Sequence, residues 1–136
     1  MMNKTTVRVR YQETDQMGVV YNSNYIVWFE VGRTELCRYI GISYREMEQQ
    51  DAFLPVAEVN CRYRSPAFYD DEVTIETAIS KLTPVRIQFS YKLWRQEELL
   101  ATGETVHGFT NKNGKLIKLN KTHPDIWQVL QQAYKQ

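Results

Sequence analysis

The chain reads YIVWFEVGRTELCRYI from residue 25 to residue 40, and this stretch decides the fold. At about 100° per residue, its apolar side chains recur on one face of a helix. That face carries Tyr25, Trp28, Phe29, Gly32, Leu36, Tyr39 and Ile40. Polar residues such as Glu30 and Arg38 occupy the opposite face, but Val27 and Val31 interrupt it. A helix that is apolar on most of its circumference has to be wrapped by other elements, and one curved antiparallel sheet can do so.

Apolar and polar residues alternate on both sides of this helix, which indicates strands. Before it, Val7, Val9 and Tyr11 alternate with polar residues. After it, the segments rich in β-branched or aromatic residues are Ala57–Tyr63, Val73–Leu82, Val85–Arg95 and Leu99–Thr110. Two connections, Thr83-Pro84 and Gln96–Glu98, are short, so the strands that they join should be antiparallel neighbours.

Three smaller features complete the chain. Ser43–Gln50 is typical of a short second helix. Asn113-Gly114 marks a tight turn that leads into Lys115–Leu119, which is the last candidate strand. Thr122 and Pro124 are suited to open a terminal helix.

The order strand, helix, then several strands predicts one α+β domain over residues 1–136. The predicted architecture is a hotdog fold, in which a curved antiparallel sheet wraps around the long central helix. A single twisted sheet also leaves exposed edges and one uncovered face, and this favours a dimer.

The composition excludes several classes of protein. The 17 basic and 16 acidic residues give a net charge of +1, so no strong overall field attracts nucleic acid or an acidic membrane. No apolar run reaches the length of about 18 residues that a membrane span requires. Cys37 and Cys61 are too few and too far apart for a disulfide scaffold or a metal site. The first residues show no signal-peptide pattern, and we expect a soluble cytoplasmic protein.

The segment from Tyr11 to Arg33 combines three features that suit chemistry at a carbonyl group. Asp15 lies between a strand and a buried helix, where a carboxylate can be partly desolvated. Gly18 allows the backbone to approach a ligand, and a helix that begins near Asn22–Asn24 offers unpaired N–H groups at its positive end. A thioester carbonyl needs such donors for its developing oxyanion, and a carboxylate can attack the carbon or activate water. The residues alone leave open that Asp15 merely caps a turn.

The same run resembles the active-site signature of the 4-hydroxybenzoyl-CoA thioesterase family, and its YbgC-like branch in particular. The matching residues are Tyr11, Asp15, Gly18, Val19, Val20, Tyr21, Tyr25, Trp28, Phe29, Glu30 and Arg33. Downstream, the similarity continues through Tyr63–Ala67 with Asp70 and Asp71, and through Ala101–Gly103. The resemblance implies a hotdog-fold acyl-CoA thioesterase that forms a homodimer or a homotetramer and needs neither a metal nor a cofactor.

The resemblance also implies a role for the site residues. Asp15 would be the catalytic carboxylate, as nucleophile or general base, and Tyr11 would shape the acyl end of the pocket. The backbone N–H of Asn22 would form the oxyanion site. Its side chain stands where YbgC-like members often carry His, and an amide cannot shuttle a proton. The predicted substrate-binding residues are Gly18, Val20, Tyr21, Tyr25, Arg64 and Ser65.

Alternatives remain open for residues and for function. Glu30 could be a second catalytic carboxylate, but its spacing from Arg33 favours a helical ion pair. Arg33 either forms that pair or reaches a neighbouring subunit. Arg64 is the favoured partner for the CoA phosphates. The other candidate cations are Arg62, Arg86, Lys92 and Lys112. An acyl carrier protein could replace CoA as the acyl donor, and Asn22 in place of His leaves open a protein that binds acyl-CoA without cleaving it.

Overall fold

A computed structural model describes residues 1–135 of the chain, which form one five-stranded antiparallel sheet with helices. The strands are β1 (Met2–Arg8), β2 (Val56–Tyr63), β3 (Glu72–Thr83), β4 (Arg86–Arg95) and β5 (Glu98–Gly108), in the order β1-β3-β4-β5-β2. The helices are α1 (Ser23–Ile40), α2 (Tyr44–Gln49), α3 (Leu119–Thr122) and α4 (Pro124–Lys135). The two short connections join neighbouring strands as predicted. Within the described residues, no helix is both long and apolar enough to cross a membrane.

The central helix α1 packs against the inner face of the sheet and contacts β1, β2, β3 and β4. Its side chains Trp28, Phe29, Leu36 and Cys37 are at most 2% exposed, and the ring of Phe29 stacks on Tyr91 of β4 with centroids 4.3 Å apart. Burial alternates along β3, β4 and β5, which is the period that a half-covered sheet imposes. The predicted α+β hotdog fold, with its sheet around a long helix, is confirmed.

Close contact between α1 and β3 depends on a small residue. A side chain on Gly32 would collide with the side chains of Thr77 and Ile75, so only glycine allows the helix to lie this close to the strand. The helix ends at Gly41, which adopts the left-handed conformation with φ of 101°. Gly32 therefore sets how closely the middle of α1 approaches β3, and Gly41 marks where the helix ends.

Two predicted strand boundaries are wrong. Tyr11 does not extend β1, because the chain turns at Arg10: Glu13 accepts a hydrogen bond from the Arg10 N–H at 2.8 Å and closes the 3-10 turn Tyr11–Glu13. The segment after Asn113-Gly114 forms no strand, and its Leu116 makes only an isolated bridge with Thr110.

Two predictions about side chains of α1 are also wrong. The helical period predicts Tyr39 on the apolar face, but its side chain is 69% exposed in the last turn of α1. Arg33 is only 8% exposed and makes no ion pair with Glu30, which points to solvent. The Arg33 guanidinium lies near Tyr44 and Tyr91, so its long side chain contributes to packing under α2 rather than to a surface pair.

Candidate active site

The loop that carries Asp15 folds back on itself between the 3-10 turn and α1. Thr14 and Val20 form an isolated antiparallel bridge, and the Asp15 N–H donates to the Val19 carbonyl at 2.8 Å. The Gly18 N–H donates to the Asp15 carbonyl at 3.0 Å, and Gly18 has a φ of 82°. Only glycine adopts this conformation without strain, so the sequence fixes a tight loop with Asp15 at its start.

The carboxylate of Asp15 is half-buried and has one hydrogen bond from the protein. Its Oδ1 accepts from the Met17 N–H at 2.8 Å, which is the turn-capping contact of an aspartate. For Oδ2 the described part of the chain supplies no donor. The residue therefore caps the turn and still presents an unpaired carboxylate oxygen.

The start of α1 is open. Asn22 is the N-cap, but its side chain makes no capping hydrogen bond. Among residues 1–135, no acceptor is found for the N–H groups of Asn22 and Ser23. The positive end of an 18-residue helix therefore presents unpaired donors, as an oxyanion site requires.

Glu13 fixes the loop relative to the helix start. It is only 6% exposed, and its carbonyl accepts both the Tyr21 N–H and the Asn24 side-chain amide at 2.8 Å. Its carboxylate closes the turn at Arg10. Glu13 is not among the site residues predicted from the sequence, because the spacing from Arg10 to Glu13 matches a capping box but Arg10 has no acceptor to complete one.

Ala67 connects the loop and the helix to the end of β2. Its carbonyl accepts the Val20 N–H at 2.9 Å, and its own N–H donates to the Tyr25 hydroxyl at 3.2 Å. Burial raises the pKa of the Tyr25 hydroxyl above its usual value, so the hydroxyl keeps its proton. That proton remains available for donation.

A cleft of about 250 Å³ opens where the helix start meets the end of β2. Its lining consists of Val20, Asn22, Tyr25, Tyr63, Arg64, Ser65 and Pro66. The structure thus brings together five of the predicted site residues, and it adds Tyr63 and Pro66. The remaining predicted residues lie outside the cleft of the single chain. These are Tyr11, Asp15, Gly18 and Tyr21.

Tyr11 and Tyr21 lie on the solvent side of the loop. Tyr11 is 73% exposed and stacks on Tyr69, with ring centroids 3.7 Å apart and an angle of 8°. Tyr21 and Phe68 are also about half exposed. Tyr11 and Tyr69 therefore form an exposed aromatic pair, and Phe68 lies against the Asp15 loop through its bridge with Val19. The sequence marks Phe68 and Tyr69, with Trp28 and Phe29, as aromatic residues that either line an acyl channel or serve packing.

Arg64 is the predicted cation that lies at the cleft. Its backbone N–H donates to the Leu100 carbonyl at 2.8 Å, while its side chain is exposed and forms no ion pair with a described residue. Arg95, in contrast, pairs with Asp71 at 2.7 Å and donates to the Pro66 carbonyl at 3.1 Å. Arg95 therefore supports the cleft wall, and Arg64 remains free at its rim. The other predicted cations do not line the cleft.

The fold and this helix-start cleft define the class of protein. The chain belongs to the thioesterase-like superfamily, whose sequence profile matches residues 9–132. This confirms the predicted family.

Individual relatives cover most of the chain. It is 34% identical over 136 residues to YneP of Bacillus subtilis, across 98% of this chain and 99% of that protein. The acyl-CoA thioesterase YbgC of Haemophilus influenzae is 36% identical over 97 residues, which are 70% of this chain and 71% of that protein. The crystal structure of a DHNA-CoA thioesterase from Staphylococcus aureus is 33% identical and superposes with a TM-score of 0.91, across 96% of this chain and 89% of the other.

Proposed function

We propose that this protein hydrolyses the thioester bond of acyl-CoA and releases a free acid and CoA. The observation that carries the proposal is the uncapped start of α1, whose unpaired N–H groups lie at the cleft beside the Asp15 loop. Oriented donors and a carboxylate are the two groups that thioester hydrolysis needs. The acyl-CoA thioesterases among the relatives support the same activity.

The thioester carbonyl would accept a hydrogen bond from the Asn22 N–H. As general base, Asp15 would take a proton from water while the water oxygen bonds to the carbonyl carbon. The resulting oxyanion would be held at the helix start until the carbon–sulfur bond breaks, and the proton on Asp15 would then pass to the CoA thiolate. As nucleophile, Asp15 would instead attack the carbonyl carbon and expel the CoA thiolate as the carbon–sulfur bond breaks. Water would then cleave the resulting acyl anhydride into the free acid and the regenerated Asp15 carboxylate, and the proton released would neutralise the thiolate.

We also propose that the active protein is a homodimer joined along β2. This strand forms one edge of the sheet, and seven of its eight residues are exposed. On the face toward α1, Val56, Val59 and Tyr63 are each about half exposed. A second copy paired along this edge would cover them and would add a wall to the cleft. The pairing of two dimers into a tetramer stays a prediction. A measurement of the molecular mass of the protein in solution tests it.

Arg64 would bind the phosphates of CoA, because its guanidinium is free at the cleft rim. A carrier protein could present the same pantetheine arm, so acyl carrier protein is an alternative acyl donor. The expected cytoplasmic location follows from this substrate, since acyl-CoA is made and consumed inside cells. A panel of acyl-CoA substrates from short to long, with an aryl-CoA and an acyl carrier protein included, identifies the acyl group.

The test of the proposal is CoA release by the wild type and by Asp15→Asn. The asparagine keeps an oxygen that can accept the Met17 N–H, so the turn stays capped, but it can neither attack nor accept a proton from water. We expect a decrease in kcat of roughly 100-fold or more with little change in melting temperature. Asp125→Asn is the control, because Asp125 lies on α4, away from the cleft. An unchanged kcat in Asp15→Asn would refute the catalytic role of Asp15. A wild-type protein that binds acyl-CoA but hydrolyses no substrate would refute the proposed thioesterase activity.

A further inference from the structure

Tyr63 forms a hydrogen bond with the start of α1 that has no part in the hydrolysis steps proposed for Asp15 and Asn22. It is the last residue of β2, and its hydroxyl donates to the carbonyl of Asn22 at 2.9 Å, across 41 residues of sequence. Its ring lies 5.0 Å from that of Tyr25, and both rings line the cleft. The free edge of the sheet is thus bonded directly to the first peptide of α1.

The position of this hydrogen bond determines its effect. The carbonyl of Asn22 and the N–H of Ser23 belong to the same planar peptide group, so a bond that holds the oxygen also fixes the direction of the N–H. A donor at the oxygen polarises the peptide and makes its N–H a stronger donor. The Ser23 N–H has no acceptor among residues 1–135, and it follows the equally free Asn22 N–H. The side chain of Asn22 does not fix the direction of these N–H groups, since it makes no capping hydrogen bond.

We propose that Tyr63 is a positioning residue of the oxyanion site, whose hydroxyl orients and polarises the Asn22–Ser23 peptide at the start of α1. This role rests on the proposed thioester hydrolysis. It makes the N–H groups of Asn22 and Ser23 a pair of donors that acts on the carbonyl oxygen. It also makes the geometry of the site depend on the edge strand β2.

The hydroxyl is suited to this role at any pH at which the enzyme is assayed. Burial raises the pKa of Tyr63 to about 12, with a further contribution from the neighbouring Cys61 thiol. Tyr63 therefore stays a donor through neutral and mildly basic pH. Removal of the hydroxyl should lower the rate by the same factor from pH 6 to pH 9.

The test is Tyr63→Phe, which keeps the ring in the cleft and removes only the hydroxyl. We expect kcat to fall roughly tenfold or more, with KM within about twofold of the wild type, because a misaimed donor weakens the transition state rather than substrate binding. Tyr39→Phe is the matched control: it removes an exposed hydroxyl from the last turn of the same helix, and its kcat should not change.

Amide hydrogen exchange provides a readout that does not depend on turnover. The Tyr25 N–H donates to the Asn22 carbonyl at 3.2 Å, and the Tyr63 hydroxyl ties this carbonyl to β2. Loss of that tie should let the first turn of α1 open more often, so the Tyr25 N–H should exchange about threefold or more faster in Tyr63→Phe and at an unchanged rate in Tyr39→Phe. If the wild type hydrolyses acyl-CoA and Tyr63→Phe has the same kcat, the positioning role of Tyr63 is wrong and the proposed function stands. A Tyr63→Phe variant with a higher KM and an unchanged kcat would lead to the same conclusion. A wild type that cleaves no acyl-CoA or acyl carrier protein substrate would overturn the proposed function, and this role with it.

Discussion

The first and last turns of a helix contain backbone groups that have no partner within the helix. The two ends of α1 differ in whether these groups find another hydrogen-bond partner. At the C-terminal end, the Gly41 N–H donates to the Arg38 carbonyl at 3.2 Å and the Ile42 N–H donates to the Cys37 carbonyl at 3.0 Å. This is the closed arrangement of a left-handed helix cap. At the N-terminal end, the side chain of Asn22 makes no cap.

The difference shows which end serves stability and which is kept for a ligand. A capping side chain at a helix start typically contributes about 1 kcal/mol, and Asn is among the residues best suited to supply it. The start of α1 carries Asn22 and does not use it in this way. The helix gives up that stabilisation at the end that lies on the cleft, and it keeps full capping at the end that does not.

The largest expected effect comes from removal of one donor at the open end. Asn22 has a φ of −55°, close to that of proline, and its N–H has no acceptor among the described residues, so Asn22→Pro should fold. If this N–H holds the oxyanion, kcat should fall roughly 100- to 1,000-fold. Steady-state CoA release measures the loss, and a thermal melt reports whether the variant is folded.

A second substitution at the same position separates the backbone of Asn22 from its side chain. Asn22→Ala keeps the N–H and removes an amide that makes no cap, so we expect a change in kcat of only a few-fold. A large loss in Asn22→Ala would assign catalysis to the side chain. Full activity in a folded Asn22→Pro would mean that another group holds the oxyanion.

The next effect concerns the pH dependence of folding stability, which originates at a buried histidine in the core. His107 of β5 is fully buried, with Nδ1 3.0 Å from the Leu54 carbonyl and Nε2 2.8 Å from the Thr105 hydroxyl. Burial lowers its pKa to about 4, from an ordinary value of 6.5. As the pH falls below 6.5, the unfolded chain binds a proton that the native state excludes, so stability present at neutral pH is lost down to about pH 4.

The size of this loss follows from the difference in pKa, and we expect about 3 kcal/mol. Urea unfolding between pH 7.5 and pH 4.5 measures it. His107→Gln should remove that part of the acid sensitivity, whereas His123→Gln, outside the core, should retain it. Equal pH dependence in the wild type and His107→Gln would contradict the assignment.

The sequence predicts those parts of the fold that local pattern determines. The buried helix shows its period within 16 residues, and the short connections predict that β3, β4 and β5 are neighbours. The sequence does not predict that β1 joins β3 or that β2 joins β5, because long connections leave several pairings open. Burial of Arg33 was missed for a similar reason: helical spacing describes its neighbours on α1 but not Tyr44 or Tyr91.

In the candidate site, too, the sequence predicts the parts that are continuous along the chain and does not predict the contacts between distant segments. The segment from Tyr11 to Arg33 is continuous, so its loop and helix start could be recognised as a unit. Tyr63 and Ala67 reach that unit from the end of β2, and their hydrogen bonds to Asn22 and Tyr25 span 41 and 42 residues. No local spacing encodes such contacts, and only the folded sheet brings these residues to the helix start.

The smallest expected effect uses a matched pair of glycines. Gly18 in the Asp15 loop and Gly41 at the closed end both have positive φ values, 82° and 101°, and a Cβ at either position would meet no atom within 4 Å. Alanine should therefore cost each position the same backbone strain, about 1–2 kcal/mol of unfolding free energy. Only Gly18→Ala should also lower kcat, because the strain shifts the loop that orients Asp15, whereas Gly41→Ala should leave kcat unchanged. Chemical unfolding and CoA release on both variants test this, and an equal loss of kcat in Gly41→Ala would show that the two ends of the helix are not independent.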